Sequence, residues 1–250
     1  MESTKPRPPA TGEGHGEHQR SPAVVREIMR YGRYLVRRGF ITNTLGNLAV
    51  RVPNDKYPET GVVYTKSLGV SLEEMTSRDV IVTDIADGRV LAGDGSPSNG
   101  HQMSRAILTH RSDVNAVVHT HPDLVIAYFS QWSERPFQYV SIDTAVVLGA
   151  PAKILPRQLN LESDPREVRT WLADTNCFVM PTHGLTTVGR SLSEAYHRHT
   201  AFVSEVQRLV LSMLIRQAGG AAVSFVSEAD TLRHYGLCDR LIYGRGTDSR

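Results

Sequence analysis

Two histidines at positions i and i+2, His119 and His121, follow the aliphatic run Ala116-Val117-Val118. Such a run reads as the end of a buried strand, and side chains two residues apart on a strand leave the same face. Imidazoles fixed on one face can share a metal, because neutral histidine nitrogen is a ligand for zinc and for first-row transition metals. A third candidate, His183, closes the run Phe178-Val179-Met180-Pro181-Thr182 and precedes Gly184, a residue type that lets the backbone turn sharply. One histidine at a strand end is ordinarily a hydrogen-bonded packing residue. The pair with its downstream His-Gly reads instead as a three-imidazole metal site.

The bulk properties agree with an ordinary enzyme-sized domain. A chain of 250 residues can bury a substantial core in one large domain or two small ones. Hydrophobic residues at 40%, charged residues at 22% and a formal charge of +2 give no ground for a nucleic-acid or anionic-membrane partner. The two cysteines, Cys177 and Cys238, have no CxxC spacing, so neither a disulfide framework nor a thiolate zinc site is expected. No apolar run has the length of a membrane span, and the first residues lack a signal-peptide core, so a cytoplasmic location is expected.

The elements that must carry the histidines follow from periodicity. Residues 1–20 are almost free of apolar side chains and are expected to be a disordered tail, which deprives His15 and His18 of any role. One domain over 21–250 then begins with Ser21-Pro22 as a helix start. The helix carries Val24, Val25, Ile28, Leu35 and Val36 inward and Arg26, Arg30, Arg33, Arg37 and Arg38 outward, and it ends at Gly39. Strands are expected over 48–52, 62–65, 80–83, 90–91, 116–118, 139–147 and 178–180, with helices over 98–111 and 124–129. Ser191-Leu192-Ser193-Glu194 has capping-box spacing and opens a long helix that stops at Gly219-Gly220. His197 and His199 fall on different faces of that helix, in surface or packing roles. Helices covering one sheet make this an α/β chain.

The order of these residues resembles the class II aldolase and adducin-head superfamily. The matching elements are Gly46-Asn47, the loop Lys66-Ser67-Leu68-Gly69, the loop Pro97-Ser98-Asn99 opening a helix, His119-Thr120-His121-Pro122, and His183-Gly184 ahead of the helix at Glu194. The resemblance spans roughly residues 22–220. It implies a single domain with a central, mostly antiparallel sheet flanked by helices, and a homotetramer with active sites at subunit interfaces. It also implies that His119, His121 and His183 hold the metal and that Asn47, Gly69, Ser98 and Asn99 contact substrate.

Two departures bear on chemistry. The superfamily carries a glutamate nineteen residues before the first histidine of the pair, as metal ligand and acid/base; here that position is Gly100, which can do neither. His101, the next residue, is a candidate replacement, and Tyr235 is a candidate for closing over the pocket, with core packing its plainer alternative. The phosphate-cradling loop has Leu68 where a hydroxyl is usual, so the pocket is more apolar, and Lys66 reads as an exposed lysine. Phe40 to Asn47 and Gly100-His101-Gln102 are similar to the non-haem iron oxygenases of aminocoumarin biosynthesis. That branch implies an Fe(2+) oxygenase using dioxygen to decarboxylate an aromatic 2-oxo or 2-hydroxy acid oxidatively. The alternatives are a divalent-metal carbon–carbon lyase, either an aldolase or an aromatic-acid decarboxylase, with Zn(2+) or Mn(2+) equally acceptable to imidazole, and a non-catalytic adducin-like binding module. Asp123 would orient a ligand histidine or cap the helix that follows.

Overall fold

Short stretches rich in valine, isoleucine and threonine pair into one eight-stranded sheet, as β-branched side chains favour. The computed structural model describes residues 20–53, 61–131 and 136–245. Residues 1–19 of the expected tail, with His15 and His18, lie outside the described residues. Strands β1 (Asn47–Pro53), β2 (Gly61–Lys66), β3 (Val80–Asp84), β4 (Val90–Ala92), β5 (Ala116–Thr120), β6 (Lys153–Ile154), β7 (Cys177–Met180) and β8 (Gly184–Gly189) lie in the order β4-β3-β2-β1-β5-β8-β7-β6. All neighbours are antiparallel except β6 and β7.

Helices cover both faces. They are α1 (Pro22–Arg37), α2 (His101–His110), α3 (Asp123–Ser130), α4 (Ile142–Leu148), α5 (Val168–Trp171), α6 (Leu192–Gln217), α7 (Glu228–Tyr235) and α8 (Cys238–Tyr243). On one face Leu48, Val50, Ala116 and Val118 pack against Val25, Ile28 and Leu35 of α1 and against Leu192 and Ala195 of α6. On the other, Ala49 and Val117 pack with Met103, Ile107 and Leu108 of α2. Each fully buried Val, Leu or Ile contributes about 1.5–3 kcal/mol, so the central strands are anchored from both faces. Period-two alternation thus sends successive residues of β5 into two different cores. Among the described residues no helix is long and apolar enough to cross a membrane.

The expected strand over 139–147 is a helix from Ile142 onward. Its valines, isoleucine and threonine favour a strand, but tertiary partners override that preference. The buried Glu205 carboxylate of α6 accepts the Val140 and Ser141 amides and the Thr144 hydroxyl, which satisfies the start of α4. Gly149, at φ 65°, closes the helix in the left-handed conformation. The arginine face of α1 is exposed as expected, and Ser191 accepts the Glu194 amide at the start of α6. Glu194 itself turns away from the capping box to pair with Arg190 and Arg198.

Candidate metal centre

His119 is the fourth residue of β5 and faces the α2 side of the sheet. In register beside it stand Asn47 on β1 and Thr186 on β8, so three polar side chains lie side by side across the central strands. His121 leaves the end of β5, and His183 sits in the turn from β7 to β8, where its amide bonds to the Met180 carbonyl at 2.9 Å. The three rings meet, with centroids 4.7–5.1 Å apart. Their ligand nitrogens all lie within 4.8 Å of one another.

Gly184 makes this approach possible by its size rather than by a turn. Its φ is not positive, but a Cβ there would meet the Thr120 carbonyl at 2.4 Å and His121 Cδ2 at 2.8 Å. Any side chain at 184 would wedge β8 away from the imidazoles.

The electrostatics favour neutral rings. Burial pulls the His119 pKa down to about 3, and the neighbouring His121 and His183 add to this against the opposing Glu162 carboxylate. Burial likewise brings His121 to about 4. Unprotonated imidazole is the form that binds a cation. His119 Nδ1 lies 2.8 Å from Thr186 Oγ1. Donating Nδ1–H to that hydroxyl leaves the Nε2 lone pair facing the other rings, the arrangement by which an outer partner fixes a ligand tautomer. Three imidazole nitrogens with open neighbouring space suit zinc, iron(II) or manganese, so the donor set fits a divalent metal.

A carboxylate that sequence reasoning did not anticipate lies beside the cluster. Glu162 stands in the loop before α5, with Oε2 3.1 Å from His183 Nε2 and Oε1 3.5 Å from His119 Nε2. Burial works to raise its pKa, yet the hydrogen bond from His183 and the surrounding imidazoles win and hold it well below the usual carboxylate value. Gly100 marks a missing side chain, but nothing local to Asn160-Leu161-Glu162 marks it as the segment brought beside the imidazoles.

Around this cluster is a cavity of about 480 Å³ lined by Asn47, Gly69, Ser98, Asn99, Gly100, His121, Glu162 and His183, together with Leu45, Leu68 and Lys66. Backbone pairing holds its two loops together, through Leu68 N to Ser96 O at 2.9 Å and Ser98 N to Lys66 O at 3.0 Å. Lys66 is buried, not exposed. Its Nζ donates to the Thr44 and Val70 carbonyls, each at 2.7 Å, and burial lowers its pKa to about 8.

Within the chain His101 and Tyr235 stand apart from the imidazoles. His101 opens α2 on its β3 side, with Nε2 3.2 Å from Thr83 Oγ1, and burial takes its pKa to about 4. Tyr235 donates its hydroxyl to Tyr139 at 3.0 Å and lines a different cleft. Asp123 is exposed in the first turn of α3 and makes no side-chain cap, so neither role expected of it is seen.

The chain as a whole is also similar to known proteins. The class II aldolase and adducin N-terminal domain family matches residues 26–208. The chain belongs to that family. An L-fuculose phosphate aldolase of Methanococcus maripaludis is 24% identical over 183 residues, 73% of this chain and 93% of the relative. A 3,4-dihydroxyphthalate decarboxylase of Arthrobacter keyseri is 25% identical over 203 residues, 76% of this chain and 77% of the relative. Among solved structures, an L-fuculose 1-phosphate aldolase superposes with a TM-score of 0.73 at 18% identity, covering 88% of this chain and 98% of its own, a likeness of fold alone.

Proposed function

We propose that this family member is a divalent-metal carbon–carbon lyase, and of the two lyase types a decarboxylase of small aromatic hydroxy acids. The observation that carries the reading is the convergence of His119, His121 and His183 within 4.8 Å beside a 480 Å³ cavity of mixed polar and apolar lining. When bound there, a divalent cation supplies Lewis-acid stabilisation of the negative charge that develops on a substrate oxygen as the carbon–carbon bond breaks.

The protein's own groups do the rest. An ammonium has three donors, and two of those on Lys66 are committed to carbonyls, which leaves one N–H for a substrate carboxylate. Ser98 Oγ is buried without a partner among the described residues, so a substrate oxygen would satisfy it. Asn47 Oδ1 is engaged by Ser104 Oγ at 3.1 Å, which orients the amide nitrogen toward Glu162 and the cavity. Leu45 and Leu68, both half exposed, offer apolar surface for an aromatic ring where an aldolase loop would offer a hydroxyl to phosphate. The decarboxylase among the relatives supports this substrate class, and the fuculose phosphate aldolases support the lyase chemistry.

The oxidative reading came from the likeness of Phe40–Asn47 and Gly100-His101-Gln102 to an oxygenase branch and from the missing glutamate at position 100. A carboxylate, Glu162, lies beside the imidazoles, and the relatives include aldolases and a decarboxylase, which favours the lyase reading. Anaerobic turnover separates the two. Protein loaded with zinc or manganese under strict exclusion of oxygen should release CO2 from dihydroxyphthalate-type acids. Substrate-dependent oxygen uptake that requires iron, with no anaerobic CO2 release, would overturn the lyase reading.

A further inference from the structure

We infer that Glu162 has taken over the carboxylate function lost at position 100 and ligates the metal from a different loop. This rests on the metal-site reading above and adds a fourth donor to it. The first observation is spatial. A Cβ built on Gly100 would lie 2.3 Å from Glu162 Oε1 and 2.0 Å from Asn47 Nδ2, so the Glu162 carboxylate occupies the space into which a side chain at residue 100 would project. A side chain at residue 100 would have to displace both the Glu162 carboxylate and the Asn47 amide from where they now stand.

The second observation is which nitrogens Glu162 meets. Its oxygens approach Nε2 of His183 at 3.1 Å and Nε2 of His119 at 3.5 Å. Nε2 of His119 is the atom that faces Nε2 of His121, 2.9 Å away. A residue that merely orients a ligand histidine bonds the far ring nitrogen, as Thr186 does at His119 Nδ1. At His119, Glu162 is on the near side, by the nitrogen that faces His121.

The third observation is that the loop is built to hold it there. Leu161 is fully buried in the α2-side core, and its amide points at Met180 Sδ at 3.4 Å. Asn160 Oδ1 accepts the Glu162 amide at 2.9 Å, and the Asn160 carbonyl accepts the Asp164 amide at 2.9 Å. A side chain fixed on both sides by an anchored leucine and an asparagine turn delivers its carboxylate with little entropy to lose. Three imidazoles and one carboxylate form a donor set suited to zinc or manganese.

Cobalt(II) titration of the full-length metal-free protein tests the assignment, with chelator competition for affinity and the visible spectrum for the coordination shell. Wild type should take up one cobalt per chain. Glu162→Gln, which keeps shape and hydrogen bonding, should weaken it by about a hundredfold, the upper end of what loss of even an outer partner costs, and should change the spectrum. Gly100→Ala is read the same way, because its methyl enters the carboxylate's space. It should weaken cobalt binding in wild type and add nothing in the Glu162→Gln background. Unchanged affinity and spectrum in Glu162→Gln, or equal weakening by Gly100→Ala in both backgrounds, would overturn the relocation while leaving the imidazole site intact. Failure of wild type to bind cobalt at all would overturn both this inference and the functional reading beneath it.

Discussion

His119 and His199 stand on opposite faces of the same strands, and both are fully buried with pKa values pulled to about 3 by burial. On the α6 face, Thr187 Oγ1 gives its only proton to the Ala195 carbonyl at 2.8 Å. It therefore accepts from His199 Nδ1–H at 3.2 Å, which leaves His199 Nε2 to accept from the Thr120 hydroxyl at 2.7 Å. Both ring nitrogens are satisfied by protein. On the α2 face, Thr186 serves His119 Nδ1, but Nε2 faces other imidazoles and a carboxylate. Burial and titration behaviour are the same in the two places. What separates a packing histidine from a metal ligand is whether its second nitrogen is already spoken for.

Removing a member of each class should therefore hurt in different ways. His121→Ala should abolish metal retention and catalysis while the fold survives, because its ring lies beyond the end of β5 and not in a core; metal analysis alongside circular dichroism checks this. Full metal occupancy in that variant would mean that the site lies elsewhere. His199→Leu should do the reverse. It leaves the Thr120 hydroxyl buried without its acceptor, at a cost of about 2–4 kcal/mol in urea unfolding, with unchanged cobalt affinity. Weakened cobalt binding without loss of stability would erase the distinction between the two faces.

Most of this contrast was legible in the residues. The i, i+2 spacing of His119 and His121 fixes their common side through strand geometry alone, and the His183-Gly184 pair marks a close approach even though its reason is space and not a turn. The single, mostly antiparallel sheet followed from the resemblance, whereas the order of its strands came only from the structure. Lys66 was misread because nothing local says that Thr44 and Val70 carbonyls will enclose its ammonium. The helix at Ile142–Leu148 was hidden for a similar reason, since its cap is Glu205, about sixty residues away in the chain. Glu162 was hidden most thoroughly. A glycine announces that a side chain is absent, but only three-dimensional packing says which distant loop has filled the space.

Two smaller effects sharpen the comparison. Thr186→Val keeps the shape of β8 but removes the hydroxyl that sets the His119 tautomer, so cobalt affinity should fall about tenfold to a hundredfold with the protein folded. A chelator competition that shows no change would mean that ring packing alone holds the tautomer. The last test uses protons. His199 is neutral in the folded chain down to about pH 3, whereas in the unfolded chain it takes a proton near its ordinary value of 6.5. Below pH 6.5 the unfolded state therefore binds more protons, so the stability that His199 contributes is complete above 6.5 and is lost as pH falls toward 3. Between pH 7 and pH 5 this amounts to about 2 kcal/mol from His199 alone. His101, lowered to about 4 by burial beside Thr83, loses stability in the same direction, so wild type should fall further than one histidine accounts for. His199→Leu has no proton to gain at that position, and its urea midpoint should drop less steeply over the same interval. Parallel slopes for the two proteins would mean that His199 is charged in the fold, and that its threonine partners do not hold it in the single neutral tautomer that sets it apart from His119.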